Sequence, residues 1–295
     1  MAASPEAGAI ALPGVAALAE RFDGLIVDQW GVLHDGARPY AGARECLERL
    51  REAGKHVVVL SNSGRREAAN LRLMEEMGFS ARLFERMVSA GEDAREAIVA
   101  RANPFHARLG TRCYAFTRAG DRSILEGIGL VFTASVEEAD FLAAIGIDSP
   151  RRALADYETE LRAARAKNLP MVCANPDIAR FSEGRLVDAT GVLARRYEAL
   201  GGEVFYHGKP WPAIYGSCIA ALGHCAPGRV VAVGDSIEHD ILGASRAGLP
   251  SAFIVGGIHA GELGAEHGGP DAATWSAFEN RAVARPGFRL PAFTW

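Results

Sequence analysis

The sequence contains few cysteines. Only five of its 295 residues are cysteine, an odd number, and no two of them have the CxxC spacing of zinc and redox motifs. This usage argues against a disulfide framework and is typical of a protein in a reducing cytoplasm. His224 stands beside Cys225, but no further ligands follow at a suitable spacing, so this pair is interpreted as part of a loop rather than a metal site.

An excess of positive charge is also absent. The formal net charge is −4, and acidic and basic residues are interspersed along the chain. No broad positive field is available to a phosphodiester backbone, so nucleic acid is not expected as a partner.

Long apolar runs are missing as well. No segment reaches membrane-spanning length and residues 1–19 lack a basic leader, so neither a membrane nor secretion is expected. With 49% hydrophobic and 23% charged residues, the composition is that of a soluble globular protein. The length predicts one large or two moderate domains.

Two apolar runs in the first third of the chain end in polar residues. Residues 24–27 and 57–60 have the composition of buried parallel strands, the first followed by Asp28 and the second by Ser61. Residues 41–53 between them carry apolar side chains at helical spacing and are followed by a glycine stop. The pattern predicts a strand, helix, strand, helix unit.

The same alternation returns near the C-terminus. Residues 230–233 predict a strand that ends at Asp235, and residues 240–247 predict a helix before a further strand. Alternation at both ends predicts an α/β fold with one parallel-sheet domain, formed by residues 1–85 and 205–295.

Residues 86–204 have an alternation of their own, which we interpret as a second α/β domain inserted into the first. The pattern predicts strands at 113–116, 140–145 and 171–173 and a helix at 156–166.

Two smaller features flank these domains. Asp35-Gly36 predicts a turn, and with it a small hairpin after the first strand. The aromatic tail, residues 285–295, is interpreted as a strap packed on the core.

Asp28 is the candidate nucleophile. In open parallel sheets ligands bind beyond the carboxyl ends of the strands, where Asp28, Ser61 and Asp235 are predicted to lie. A carboxylate there can attack phosphorus and form an aspartyl-phosphate, which divides one difficult displacement into two easier ones. Taken singly each signal is weak, because an aspartate after a strand is often a helix cap.

A phosphoryl group also requires donors, a fixed cation and a metal ion. The Ser61 hydroxyl and the amides of Asn62 and Ser63, at a strand-to-helix turn, are candidate phosphate donors. Lys209 is the candidate cation. Asp235 and Asp240 offer hard oxygen ligands suited to magnesium.

Four motifs stand in a fixed order: Asp28-Gln29-Trp30-Gly31-Val32-Leu33, Leu60-Ser61-Asn62-Ser63, Gly208-Lys209-Pro210, and Gly234-Asp235 through Asp240. They resemble the four motifs of the haloacid dehalogenase superfamily, and the insert resembles the type IIA cap of its sugar-phosphatase and 4-nitrophenylphosphatase branch. The resemblance implies a Rossmann-like core with an inserted cap, and a magnesium-dependent phosphatase. It also implies the roles of the site residues. Asp28 would be the nucleophile and a metal ligand, and Trp30 would bind the metal through its backbone carbonyl. Ser61 would bind phosphate, Lys209 would neutralise charge, and Asp235 would complete the metal site with Asp240.

The chain departs from this resemblance at Trp30. Phosphatases of the superfamily usually carry a second aspartate there, which serves as general acid and base. An indole offers only an N–H donor and cannot replace it. Loss of a general acid costs on the order of 10²–10⁴ in rate, mostly with poor leaving groups. Three outcomes follow: a preference for good leaving groups, a substitute acid, or binding without turnover.

His34 and Asp35 are the nearest substitutes in sequence. His34 has the better unperturbed pKa for work near neutrality. Asp35-Gly36 is also what such a turn needs in any case, so both interpretations stay open.

The insert carries a further candidate in Ala174-Asn175-Pro176-Asp177. Asn175 and Asp177 are candidate contacts to the leaving group of the substrate, as the resemblance implies, and Asn-Pro-Asp is equally ordinary turn chemistry. The resemblance also implies a homo-oligomer that associates through the cap.

The sequence leaves three hypotheses. The first is a magnesium-dependent phosphatase acting on a small phosphorylated metabolite. The second is a weak or inactive relative that binds a phosphorylated ligand or a protein partner, motivated by Trp30. The third is a different carbon–X or phosphorus–carbon hydrolysis that uses the same nucleophile. The predicted metal pair Asp235 and Asp240 argues against dehalogenation.

Overall fold

The computed structural model describes residues 8–182, 185–265 and 269–295. Two compact units are present. The core unit comprises the chain up to Ser61, Asn70–Val88 and the chain from Lys209 onward, and the insert unit comprises Asn62–Ala69 and Ser89–Gly208. Whether the folding domains divide at residues 86 and 204 stays a prediction.

Strands and helices alternate along most of the described chain. The strands are β1 Ile10–Ala11, β2 Gly24–Asp28, β3 His56–Ser61, β4 Arg86–Ser89, β5 Arg112–Phe116, β6 Val131–Phe132, β7 Phe141–Ala144, β8 Met171–Cys173, β9 Ala179–Ser182, β10 Arg185–Asp188, β11 Val204–Tyr206, β12 Val230–Gly234, β13 Ser251–Ile254 and β14 Phe288–Leu290. The α-helices are α1 Ala16–Ala19, α2 Ala43–Glu52, α3 Glu67–Glu76, α4 Ala90–Ala100, α5 Pro104–Ala107, α6 Glu158–Ala166, α7 Thr190–Ala199, α8 Pro212–Ala221, α9 Leu242–Arg246 and α10 Ala272–Arg281.

The core unit contains a seven-stranded sheet in the order β1-β14-β13-β12-β2-β3-β4. The pairs from β1 to β3 are all parallel. Val27 of β2 is in register with Val233 of β12, and Asp28 with Leu60 of β3. The carboxyl ends of β12, β2 and β3 therefore lie side by side at one edge of the sheet.

Both faces of this sheet are covered, which explains why every residue of β2 is buried. One face packs on α2, whose buried residues Ala43, Cys46, Leu47 and Leu50 recur at helical spacing. Gly54 follows α2 with φ of +67°, the left-handed conformation of a glycine stop. The other face packs on the apolar side of α10, through Trp275 and Phe278.

Three local predictions differ from the structure. In place of the predicted hairpin the structure has a loop, with one isolated bridge between Trp30 and His34 and another between His34 and Pro39. The chain turns back at Asp35 after too few residues to form two strands. The helix expected from residue 240 is preceded by a wide helical turn, Ile237–Ile241. The tail contributes β14 to the core sheet, so it is a strand as well as a strap.

The insert unit contains a five-stranded parallel sheet in the order β11-β8-β7-β5-β6 and an antiparallel ribbon of β9 and β10. Its core packs Phe141 and Val172 of the sheet against Ala94 and Ile98 of α4. The strands predicted at 113–116, 140–145 and 171–173 correspond to β5, β7 and β8.

Within the described ranges, every helix is too short or too polar to cross a lipid bilayer.

Candidate active site

Three carboxylates meet at the carboxyl edge of the core sheet. Asp28 ends β2, Asp235 follows β12, and Asp240 lies in the wide turn after it. One oxygen from each lies within 4.8 Å of the others, and all three residues are buried. The wide turn returns Asp240 toward Asp235, a geometry that spacing alone did not predict.

Lys209 supplies a cation to these carboxylates. Its ammonium group donates hydrogen bonds to Asp28 Oδ1 and, at 2.7 Å, to Asp240 Oδ1. The Tyr215 hydroxyl donates to the backbone oxygen of Asp240 at 3.1 Å, a contact that sequence reasoning missed.

The electrostatics of the cluster follow from burial. Burial, and then the charge of Asp240, raises the pKa of Asp28 well above its usual range. Burial and Asp240 also raise the pKa of Asp235, to about 7. Burial lowers the pKa of Lys209, but the charges of Asp240 and Asp28 outweigh it and hold that pKa above its usual value. The lysine is therefore charged, and the carboxylates face more negative charge than it balances.

Glycines let the backbone approach these carboxylates. A Cβ at Gly31, which has φ of +83°, would lie 1.8 Å from Asp235 Oδ2. A Cβ at Gly257 would lie 2.2 Å from Asp235 Cβ, and one at Gly234 would lie 2.1 Å from Asp240 Cγ. Side chains at these positions would fill the space that the carboxylates occupy. Of the three, only Gly31 and Gly234 belong to motifs that the sequence revealed.

Backbone amides hold Asp235 and Asp240 in place by donating hydrogen bonds to their carboxylates. The Ile258 amide donates to Asp235 Oδ2 at 2.7 Å, and the Ser236 amide donates to Asp240 Oδ2 at 3.1 Å. Sequence reasoning missed Ile258, because it acts through its backbone amide. The adjacent Gly256-Gly257 was the available signal for a close backbone approach.

The predicted phosphate donors occupy the end of β3 and the turn after it. Ser61 is the last residue of β3 and is buried. Asn62 donates from Nδ2 to Asp177 Oδ1 at 2.8 Å within the insert unit. The Ser63 carbonyl accepts a hydrogen bond from the Gly91 amide at 3.0 Å, which ties this turn to the start of α4. Phosphate binding by these residues stays a prediction.

Asn175 and Asp177 belong to one turn of the insert unit. Asn175 Oδ1 accepts from the Asp177 amide at 3.0 Å, which is Asx-turn geometry. Pro176 packs closely on the chain, since a Cβ at Gly208 would lie 2.8 Å from its Cδ atom. The Asn175 side chain therefore closes the turn, whereas the Asp177 side chain accepts from Asn62. A contact of either to the leaving group of the substrate stays a prediction.

Trp30 does not replace an acid. Its side chain is half exposed and its ring packs against the His34 ring, with centroids 5.2 Å apart. A Cβ at Gly36 would lie 2.1 Å from the indole, so the indole occupies the space that this glycine leaves open. The orientation of the Trp30 carbonyl toward a metal stays a prediction.

His34 and Asp35 are both engaged in the loop. The Gly36 amide donates to His34 Nδ1 at 2.9 Å, so the ring proton lies on Nε2. Burial lowers the pKa of His34 to about 4, so the ring is neutral at neutral pH and is not an acid there. Asp35 Oδ1 accepts from the amides of Ala37 and Arg38, which lower its pKa.

The chain matches known families over both parts of the core. A model described as haloacid dehalogenase-like hydrolase matches residues 25–131, and a second, described as HAD-hydrolase-like, matches residues 206–276. Chronophin of Bos taurus is 30% identical over 256 residues, which cover 81% of this chain and 82% of that protein.

Solved structures have the same fold. A haloacid dehalogenase-like hydrolase from Brucella suis superposes with a TM-score of 0.77 at 29% identity, covering 96% of this chain and all of that one. A glycerol phosphate phosphatase from Mycobacterium tuberculosis, crystallised with magnesium, has a TM-score of 0.69 at 24% identity, covering 92% of this chain and 75% of that one. These likenesses confirm the predicted fold class and superfamily, and the chain belongs to the haloacid dehalogenase-like hydrolases.

Proposed function

We propose that this chain is a magnesium-dependent phosphatase that hydrolyses a small phosphorylated metabolite through an aspartyl-phosphate at Asp28. The observation that carries the proposal is the convergence of Asp28, Asp235, Asp240 and Lys209 at one sheet edge. Such a cluster of buried charges is costly unless it binds something, and it lies where parallel sheets bind ligands.

The residues present fit a magnesium ion. Asp28, Asp235 and Asp240 offer the hard oxygens that magnesium prefers. When ionised, three carboxylates against one ammonium group leave two negative charges, which one divalent cation neutralises. Bound there, with the Trp30 carbonyl as a further proposed ligand, magnesium would supply positive charge to the oxygens of a transferring phosphoryl group.

The chain's own residues account for the transfer. Asp28 Oδ2 attacks phosphorus, the bond from phosphorus to the leaving oxygen breaks, and an aspartyl-phosphate forms. Lys209 holds Asp28 Oδ1 and fixes the direction of the other oxygen. Ser61, with the amides of Asn62 and Ser63, donates to the phosphoryl oxygens. Water then attacks the intermediate, inorganic phosphate leaves, and the Asp28 carboxylate is restored.

Trp30 limits the leaving groups that the site can expel. The leaving oxygen must gain a proton or depart as a stable anion, and neither Trp30 nor neutral His34 supplies that proton at neutral pH. We infer a preference for substrates whose leaving group is already a weak base, such as a phenol, an enol or a second phosphate.

A direct test is hydrolysis of 4-nitrophenyl phosphate, measured with and without magnesium for the wild type and Asp28→Asn. This substrate has a good leaving group and does not require an acid. We expect nitrophenol release that needs magnesium and is lost in the variant. Release that is independent of magnesium, or that is retained in Asp28→Asn, would refute the proposed chemistry.

One observation favours a second function, binding of a phosphorylated ligand without turnover. The loop that should carry the acid is occupied by Trp30 packed on His34, with Asp35 tied into a turn. Beryllium fluoride separates the two functions, because it mimics a phosphoryl group on an intact aspartate. Magnesium-dependent beryllium fluoride binding by a protein that hydrolyses nothing would favour the binding function.

A cytoplasmic location also stays a proposal. It is supported by the five cysteines, all of which are buried as thiols.

A further inference from the structure

A second cluster of metal-ligating side chains lies in the core unit, apart from the carboxylates. Nitrogen atoms of His56 and His224 and the Cys225 sulfur lie within 4.8 Å of one another. Glu85 joins them, with its Oε1 atom 2.7 Å from His56 Nδ1. Sequence spacing concealed this cluster, because the four residues come from three separate segments that only the fold brings together.

The cluster lies at the opposite edge of the sheet from Asp28. His56 begins β3 and is in register with Gly24, the first residue of β2, whereas Asp28 is the last residue of that strand. Four residues of strand separate the two positions, or about 13 Å. A ligand at His56 is therefore distinct from one at the carboxylates.

Hydrogen bonding alone leaves the cluster poorly satisfied. His56 Nδ1 lies 2.7 Å from Glu85 Oε1 and 3.0 Å from His224 Nε2. A ring nitrogen has only one site in the ring plane, either a proton or a lone pair. If it is protonated, two acceptors compete for one proton. If it is not, the Glu85 carboxylate faces a lone pair. A cation bound between the His56 nitrogen, the His224 nitrogen and the Glu85 oxygen would accept a lone pair from each of the three atoms.

Backbone contacts hold the ligands in place. The Glu85 amide donates to the Val57 carbonyl at 2.7 Å, which fixes Glu85 beside β3. The Cys225 amide donates to the Leu222 carbonyl, also at 2.7 Å. A Cβ at Gly24 would lie 3.2 Å from Cys225 Sγ, so the sulfur packs over the start of β2. In this cluster Cys225 is buried, whereas His224 and Glu85 are exposed to solvent.

The surrounding charges leave the Glu85 carboxylate available to bind a cation. The neighbouring carboxylate, Asp23, is paired with Arg229 at 2.8 Å and with Lys55 at 3.2 Å. Glu85 has no such cationic partner among the described residues, apart from a protonated His56. Burial, and then the charges of Asp23 and Glu85, raises the pKa of the Cys225 thiol. A cation would reverse that effect.

We propose that His56, His224, Cys225 and Glu85 form a binding site for one divalent late first-row metal ion, with zinc as its natural occupant. Two imidazoles, one thiolate and one carboxylate are the ligand types of tetrahedral zinc. On binding, the Cys225 S–H proton passes to solvent and a metal–sulfur bond forms. No electron is transferred, so the site needs no oxidant or reductant.

The test is titration of the full-length protein with cobalt(II), which reports its ligands by absorption. Excess magnesium is included to occupy the carboxylate cluster. We expect one cobalt per chain, a thiolate-to-cobalt charge-transfer band in the near ultraviolet, and the intense visible bands of tetrahedral cobalt. Zinc should displace the cobalt and abolish these bands. No phosphatase activity is needed, so the outcome is independent of the proposed function.

Variants assign the bands to this cluster. Cys225→Ser, which is nearly isosteric, should lose the charge-transfer band. His224→Asn and Glu85→Gln, at solvent-accessible positions, should weaken cobalt binding by about 10-fold or more. The matched control His259→Asn removes an imidazole elsewhere in the core unit and should leave the titration unchanged. A wild type without the thiolate band, or a band that persists in Cys225→Ser, would overturn the proposal.

Discussion

The Lys209 ammonium group joins Asp28 to Asp240, donating to Oδ1 of each, at 2.7 Å in the case of Asp240. The lysine thereby holds the proposed nucleophile and partly balances a carboxylate cluster that carries excess negative charge. Both the stability of the core unit and the chemistry of the site therefore depend on this one side chain.

Lys209→Gln should lower both the stability of the core unit and the rate of hydrolysis. Breaking a buried ion pair costs about 3–5 kcal/mol, because charges are left unpaired in the interior. We expect a loss of stability of about 3 kcal/mol in urea unfolding without magnesium, and hydrolysis of 4-nitrophenyl phosphate slower by about 100-fold or more.

Lys55→Gln is the matched control for Lys209→Gln. Lys55 pairs with Asp23 at 3.2 Å near the surface, where an ion pair contributes at most about 1 kcal/mol. This variant should keep its stability within about 1 kcal/mol and its activity unchanged. Equal losses in the two variants would contradict a special role for Lys209.

Gly31→Ala should inactivate the site. The added Cβ would lie 1.8 Å from Asp235 Oδ2, and φ of +83° strains any L-residue. Displacing a site carboxylate by about 1 Å can cost on the order of 10² in rate. We expect magnesium-dependent hydrolysis to fall by about that factor.

Gly54→Ala is the control for this strain. Gly54 has a similar φ of +67°, but a Cβ there would have no atom within 4 Å. It should lose about 1 kcal/mol of stability and keep its activity. If Gly31→Ala behaves like Gly54→Ala, the backbone does not approach Asp235 as described.

Trp30→Asp should restore a general acid. We expect alkyl phosphates to be hydrolysed at least about 10-fold faster, with little change for 4-nitrophenyl phosphate, whose leaving group needs no proton. Trp30→Asn removes the indole without adding an acid and is the matched control. An equal gain in both variants would mean that the indole blocks the site and that proton donation is not limiting.

His106 in the insert unit predicts an acid-side loss of stability. Asn103 Oδ1 accepts from the His106 amide at 2.9 Å and lies 2.8 Å from its Nδ1, so the proton sits on Nδ1. Burial, and then His207, lowers the pKa of His106 to about 4. The unfolded chain therefore binds more protons between about pH 6.5 and 4, and the folded state loses stability as the pH falls through that range.

Urea unfolding at pH values across this range measures the effect. We expect His106 to account for about 2 kcal/mol of the loss, so His106→Gln should show a pH dependence shallower by that amount. An unchanged slope in His106→Gln would show that His106 is not held neutral.

Much of the core was predictable because its elements follow simple periodicities. The apolar runs before Asp28, Ser61 and Asp235 predicted three strands of one parallel sheet, and the structure places these strands side by side. Their polar ends predicted the edge where Asp28 and Asp235 meet. The strands β1, β4 and β14, of two to four residues each, were not predicted.

The residues that surround the site were harder to predict. Ile258 and Tyr215 act through a backbone amide and a hydroxyl, neither of which leaves a spacing signal. His56 and Glu85 lie near Cys225 only because the strands of the core sheet pair with one another. A single sequence reveals residues that follow one strand, but it does not reveal contacts between segments far apart along the chain.

The central claim is that Asp28 carries the phosphoryl group, and borohydride trapping during turnover tests it most directly. The wild type is mixed with magnesium and 4-nitrophenyl phosphate, and sodium borohydride is added, which reduces an aspartyl-phosphate to homoserine. Peptide mass spectrometry should then find homoserine at position 28 in the wild type and at no position in Asp28→Asn. Hydrolysis that proceeds without homoserine at position 28 would contradict the account.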